Sequence, residues 1–426
     1  MMPVQRFAHY AERIERHDAK LGAFLNLRLT QAEAEARASQ VRITRGGRLS
    51  AIDGWCIGVK ANIAVAGLPH HAGIAAYRDV IAAEDSDVVA RLKRAGAVIL
   101  GSLNMHEGAL GATTDNPAFG RTQNPWRHGF TPGGSSGGSG AAVAAGLCDA
   151  ALGSDTMGSV RIPSAYCGVY GHKPTTGVVS NSGVLALSHT LDHVGPHARH
   201  VGDLVALLEA MSGKVMTSNP VDLKALRIGV WDGNGAVGLE TAVANGFQAA
   251  IAKLELSGAT LVPVSPPVYD YGKARRAGLL ISEVEGAEIH AARLASNPAG
   301  FSDAFRGLLE WGARQPQDKC KAAYDLIAEI HDAASGLFKK VDFVIAPTAP
   351  QTAFSFDETA PANQADFTAW ANFARLPATA VYTGVSKEGL PLSLQVIGSE
   401  GQDAKTLAVA QALQSLFGHA PMPEGF

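Results

Sequence analysis

Residues Thr131–Thr175 read TPGGSSGGSGAAVAAGLCDAALGSDTMGSVRIPSAYCGVYGHKPT, two serine-bearing, glycine-flanked turns on either side of an apolar run. Taken alone, TPGGSSGGSG (131–140) admits three readings. One is a flexible Gly/Ser linker, but the run GAAVAAGLC follows with the composition of a core helix, which linkers seldom abut. Another is a phosphate cradle, since successive N–H groups at a helix start bind anions, yet the lysine of GxxxxGK[ST] is missing. The third is catalytic. Gly133-Gly134-Ser135-Ser136-Gly137 fits GxSxG with Ser135 in the central place, the turn that exposes the serine of an α/β-hydrolase, which then needs an acid and a histidine downstream.

The second turn, GSDTMGSVRIPSAYCG (153–168), places Ser159 directly after Gly158. A chain that curls there brings the N–H groups of Thr156, Met157, Gly158 and Ser159 toward one point. Such a nest suits a developing oxyanion, and each donor contributes about 2.7–4 kcal/mol when removed singly. A plain glycine turn between strand and helix is the alternative.

Upstream, IDGWCIGVKANIAVAG (52–67) is a short apolar run that ends at Lys60, a strand carrying a lysine off its end into a loop. Residues 3 to 43 predict two amphipathic helices, with Tyr10, Ile14, Leu21 and Phe24 on the apolar side of the first. DSDVVARLKRA (85–95) opens on N-cap residues and leads to the strand AVILGSLN. Downstream, helices are predicted over 200–212, 240–257, much of 273–340, near 366–374 and from Asp403 to Phe417. Strands are predicted at LRIGVW, ATLVPV, FVIAPT (343–348), PATAVYTG and LPLSLQVIG. This recurrence predicts an α/β protein with one mixed sheet covered by helices on both faces. The chain reads as a single domain, 1–426, with residues 1–45 packing on the core and 213–340, where strand signals thin out, as a helical insertion or subdomain.

Composition removes several function classes. The 426 residues carry a net charge of -3 with scattered Lys and Arg, so no basic stripe marks a nucleic-acid surface. Cys56, Cys148, Cys167 and Cys320 lie far apart without CxxC spacing, which argues for buried free thiols over a zinc site or disulfide scaffold. The N-terminus lacks the build of a secretory signal, and no apolar run is long enough for a membrane helix. A soluble cytoplasmic protein is expected.

GGSSGGSGAAVAAG, GSDTMGSVRIPSAYCGVYGHKPT, the upstream GVKANI and the later APT and LPLSLQVIG together resemble, in order, the motifs of the amidase signature family of serine amidohydrolases. The resemblance covers nearly the whole chain. It implies the amidase signature fold, with Lys60 as base, Ser135 as bridging serine after a cis peptide at Gly134, and Ser159 as nucleophile. Thr156, Met157, Gly158 and Ser159 would form the oxyanion hole. A lysine serves as base only when neutral, and keeping it so at pH 7 costs about 4.6 kcal/mol unless burial or neighbours depress its pKa. Lys60 lies between apolar Val59 and Ala61, where many relatives follow the lysine with aspartate. A second departure is Met157, which replaces a common glycine and bears on the acyl pocket.

The resemblance further implies a small linear amide as substrate, hydrolysed through an acyl-enzyme without metal or organic cofactor. Met157, Arg161 and Met105 are the candidate substrate contacts, with an Asp155–Arg161 ion pair as the alternative role for Arg161. His189, His193, His197 and His200 recur suggestively, but Gly195-Pro196 breaks any helix that would align them on a metal. His106-Glu107 lacks the second histidine of HExxH. No nucleic-acid or membrane partner is expected, and the protein assembly allowed for is a homodimer. Within the family, the alternative is the glutamine-splitting A subunit of a transfer-RNA-dependent amidotransferase, which would need partner subunits. Outside it stand an α/β-hydrolase esterase, which would depend on a histidine and not on Lys60, and a non-catalytic binding protein.

Overall fold

The computed structural model of the chain describes residues 1–216 and 218–426. It begins with α1 (Pro3–Leu21), β1 (Phe24–Leu27), α2 (Leu29–Thr44), β2 (Cys56–Lys60), α3 (Asp87–Arg94) and β3 (Val98–Leu103). A small ribbon, β4 (Asp115–Asn116) and β5 (Gly120–Arg121), precedes α4 (Gly137–Ala144), β6 (Ala150–Asp155), α5 (Arg161–Cys167), β7 (Tyr170–Lys173), β8 (His193–Ala198) and α6 (Val201–Ser212). Then follow β9 (Arg227–Val230), α7 (Thr241–Leu256), β10 (Thr260–Pro263), α8 (Tyr271–Ser296), α9 (Asp303–Gly312) and α10 (Gln317–Leu337). The chain ends with β11 (Phe343–Pro347), α11 (Ala369–Phe373), β12 (Ala378–Val385), β13 (Pro391–Ile397) and α12 (Asp403–Phe417).

Eleven strands make one mixed sheet in the order β1-β3-β2-β6-β8-β7-β12-β13-β11-β9-β10. Its central strands are buried on both faces because helices cover both. Alternation along a strand divides their side chains: Ile57 and Val59 of β2 join the core under α3, α6 and α12, while Cys56 joins the core under α1, α2 and α4. The same period assigns Lys60, four residues after Cys56, to the face on which α4 packs. β2 runs parallel to both β3 and β6, so Lys60 and Asp155 leave the sheet at the same edge. That edge, at the carboxyl ends of parallel strands, is where open α/β sheets hold their sites.

Two expectations change in detail. Phe24 does not extend the first helix. Gly22 stops α1 in the left-handed region at φ 67°, where a Cβ would lie 2.7 Å from the Arg121 carbonyl oxygen, and Phe24 opens a strand antiparallel to β3. Within 213–340, β9 and β10 extend the main sheet beyond β11, and α8, α9 and α10 supply the helical part. No helix among the described residues is long and apolar enough to cross a membrane.

Candidate active site

Lys60 is wholly buried, and its Nζ lies 2.6 Å from Ser135 Oγ, 2.8 Å from Ser154 Oγ and 3.5 Å from the Ser154 carbonyl oxygen. Three oxygens around Nζ suit the three hydrogens of an ammonium, and equally a neutral amine that donates to Ser154 and accepts from the Ser135 hydroxyl. Burial pulls the Lys60 pKa down to about 7, against Asp192 and Asp155, which favour the charged form. Ser135 enters this position through a cis peptide bond from Gly134. Its carbonyl accepts the His106 N–H at 3.0 Å, and Ser136 Oγ donates to the Ser154 carbonyl at 3.0 Å, so the first turn is stitched to the end of β6.

The second turn lies alongside. The Ser136 N–H donates to the Ser159 carbonyl at 3.3 Å, while Ser159 Oγ makes no hydrogen bond among the described residues. Ser159 is half-buried and lines a cavity of about 310 Å³ with Thr156, Met157, Ile162, His106 and Leu187. The N–H groups of Met157, Gly158 and Ser159 donate to no acceptor among the described residues. Thr368 Oγ1 donates to the Met157 carbonyl at 2.6 Å, and in a trans peptide this turns the Gly158 N–H the opposite way. Gly158 has φ 140°, and a Cβ there would meet Thr368 Oγ1 at 2.2 Å, so the tight turn demands glycine at this place. Met157, at the variant position, packs its sulfur against Gly278 of α8 and joins the cavity wall.

The other two expected substrate contacts lie elsewhere. Arg161 is wholly buried and absent from the cavity wall. Its Nε and Nη2 bind Asp155 at 3.1 and 3.0 Å, Nη1 binds the Thr368 carbonyl and Gln395 at 2.8 Å, and Nη2 also binds Asn372 at 2.6 Å. With every nitrogen engaged inside the protein, Arg161 has no donor left for a substrate. Burial alone would raise the Asp155 pKa, but Arg161 holds it well below the usual carboxylate range. Met105 is also wholly buried, among Ala72, Ile74 and Ala109 in an apolar cluster. Arg161→Met should destabilise the fold by about 3–5 kcal/mol, because it strands a buried carboxylate. A drop in the urea unfolding midpoint checks this.

Two residues that sequence reasoning passed over belong to the site. Asp192, buried, accepts Thr156 Oγ1 at 2.6 Å and the N–H groups of Leu187 and Ser188 at 2.8 and 3.2 Å, and so holds the start of the second turn. His106 lines the cavity, its Nδ1 3.1 Å from Thr113 Oγ1, and burial pulls its pKa down to about 4. SHTLDHVGP displays Asp192 between two histidines, and the histidines are the louder signal. His193 and His197 lie in β8 on separate partners, Thr176 Oγ1 at 2.8 Å and Ser164 Oγ at 2.9 Å. A larger cavity of about 560 Å³, between α7 and the β12–β13 hairpin, contains none of these groups.

Comparison with known proteins agrees with this construction. The family model for amidases matches residues 7–407. The A subunit of the glutamyl-tRNA(Gln) amidotransferase of Anaeromyxobacter sp. (strain K) is 37% identical, over 96% of this chain and 92% of that protein. A solved amidase superposes with a TM-score of 0.91 at 30% identity, covering 98% of this chain and 97% of its own. A chain from a vestigial protein complex that bears on the evolutionary origins of an s-triazine catabolic enzyme gives 0.91 at 31% identity, covering 99% and 96%. The amidotransferase relative is one part of an enzyme named for a transfer RNA. This overturns the expectation of a chain with no nucleic-acid connection and no protein partner beyond a second copy of itself; net charge and scattered basic residues carry no signal of the assembly for which that relative is named. By fold, family model and relatives alike, the chain is an enzyme acting on C–N amide bonds and belongs to the amidase signature family.

Proposed function

We propose that this chain cleaves a carboxamide C–N bond through a Ser159 acyl-enzyme. The observation that carries the reading is the buried Lys60–Ser135 contact of 2.6 Å beside a cavity lined by Ser159. Ser159 Oγ attacks the amide carbon, its proton passes to Ser135 Oγ, and the Ser135 proton passes to neutral Lys60 Nζ. The carbonyl oxygen gains the negative charge, and the N–H groups of Thr156, Met157, Gly158 and Ser159 receive it. Collapse breaks the C–N bond, and the amine leaves with the proton returned through Ser135. Water then attacks the ester by the same route and frees the acid.

Similarity to the A subunits of amidotransferases supports glutamine as the donor amide and work within an assembly that passes ammonia on. A second reading, hydrolysis of another small amide, is favoured by the mainly apolar wall built from Met157, Ile162, Leu187, Leu279 and Ala365. Ammonia release from glutamine and from a panel of small amides, by the purified chain and by the chain captured with its native partners, separates the two. Glutamine turnover that appears or rises with co-purified partners is the expected result. Equal release from neutral amides by the chain alone would select the second reading.

A further inference from the structure

Among the described residues lining the Ser159 cavity, Arg275 is the single one of Asp, Glu, Lys or Arg type. Its Nη1 binds both oxygens of Asp366, at 2.7 and 2.8 Å. Nε and Nη2 make no hydrogen bond among the described residues, although a guanidinium carries five N–H donors in a fixed fork. The pair is asymmetric in exposure: the Arg275 side chain is 28% exposed and that of Asp366 only 5%. Asp366 therefore holds the guanidinium through Nη1, which leaves Nε and Nη2 of a cavity-lining arginine as its free donors.

The position along α8 fixes the scale. Gly278, against which Met157 packs, lies three residues after Arg275, about 4.5 Å along the helix axis. Met157 precedes Ser159 by two residues. Arg275 and Ser159 thus line one cavity of about 310 Å³. The wall between them is mostly apolar, so a charged end of the substrate has this one fork to meet, and Arg pairs bidentately with carboxylate.

We infer that Arg275, oriented by Asp366, anchors a carboxylate on the substrate, so that the enzyme selects small amides that are also anions. This rests on the amide-cleaving reading above and names its substrate class. The rival is a brace that merely ties α8 to the loop before α11.

Protection of Ser159 from a fluorophosphonate probe tests it, with succinamate and its near-isostere succinamide as protectants. Succinamate should half-protect the wild-type chain at a concentration at least tenfold lower than succinamide. Arg275→Gln should erase that preference, each variant's protection being measured against its own labelling rate without protectant. Asp366→Asn, which keeps the guanidinium, should retain a preference for the acid. Equal protection by the two compounds, no protection by succinamate, or an Arg275→Gln variant weakened equally toward both would overturn the anchor while labelling stands. Failure of the wild type to label at all would remove the amide-cleaving reading itself, and the anchor with it.

Discussion

Ser159→Ala is expected to lower amide cleavage by about 10⁴-fold or more and to abolish fluorophosphonate labelling, because it deletes the atom that forms the acyl-enzyme. Lys60→Ala should fall nearly as far, since the general base and its serine bridge act as one unit; Ser135→Ala interrupts the same path. Single losses in such a unit do not add, so the double variant Lys60→Ala/Ser135→Ala should be little worse than either alone. The informative contrast is His106→Ala. Among the described residues His106 is the one histidine on the cavity wall, and a serine hydrolase of the esterase type would depend on it. Its pKa of about 4 makes it a feeble base at neutral pH, and the Ser135 carbonyl is held by its backbone N–H and not by the ring. A loss of no more than about tenfold is expected for His106→Ala, against the far larger loss for Lys60→Ala. The reverse order, measured as ammonia release with labelling in parallel, would reject the lysine relay.

These expectations draw on sequence and structure unequally. Strands such as β2, β11 and β13 are legible because apolar residues run through them, and α12 begins and ends where its helical pattern does. β8 is hidden: HVGPHA carries two histidines and a Gly-Pro pair, and it counts as a strand only because both its neighbours, β6 and β7, pair with it. The two serine turns announce themselves through glycine. Their link to Lys60, 75 residues away from Ser135 in the chain, is not a property of spacing and is legible only through family resemblance. Arg161 shows the limit of proximity in sequence: it follows Ser159 by two residues yet points into the core, where Asp155 and Asn372 consume it. Arg275 is the opposite case, more than a hundred residues from Ser159 and brought to the same cavity by the packing of α8. Long-range placement of polar side chains depends on tertiary packing, and local pattern does not encode it.

The pH profile of Ser159 labelling should report Lys60. With its pKa near 7, Lys60 is protonated below that value and cannot accept the serine proton, so labelling should fall about tenfold per pH unit on the acid side and level off above it. An ordinary lysine would place the limb above pH 10. Burial is the larger influence on Lys60 and lowers its pKa, while Asp192 and Asp155 work the other way; His106 and His197, the imidazoles that also feel its charge, stay neutral through this range. Asp192→Asn removes one of the two charges that favour the ammonium form, so the acid limb should move to lower pH. The plateau should drop at the same time, by about tenfold or more, because Asn presents NH2 in place of one of the two oxygens, either the one that accepts from Thr156 or the one that accepts from Leu187 and Ser188, and the donor turn loosens. A variant that is merely misfolded loses the plateau and keeps the limb in place. A limb that stays near pH 7 in Asp192→Asn, with a normal unfolding midpoint, would mean that some group other than Lys60 takes the serine proton.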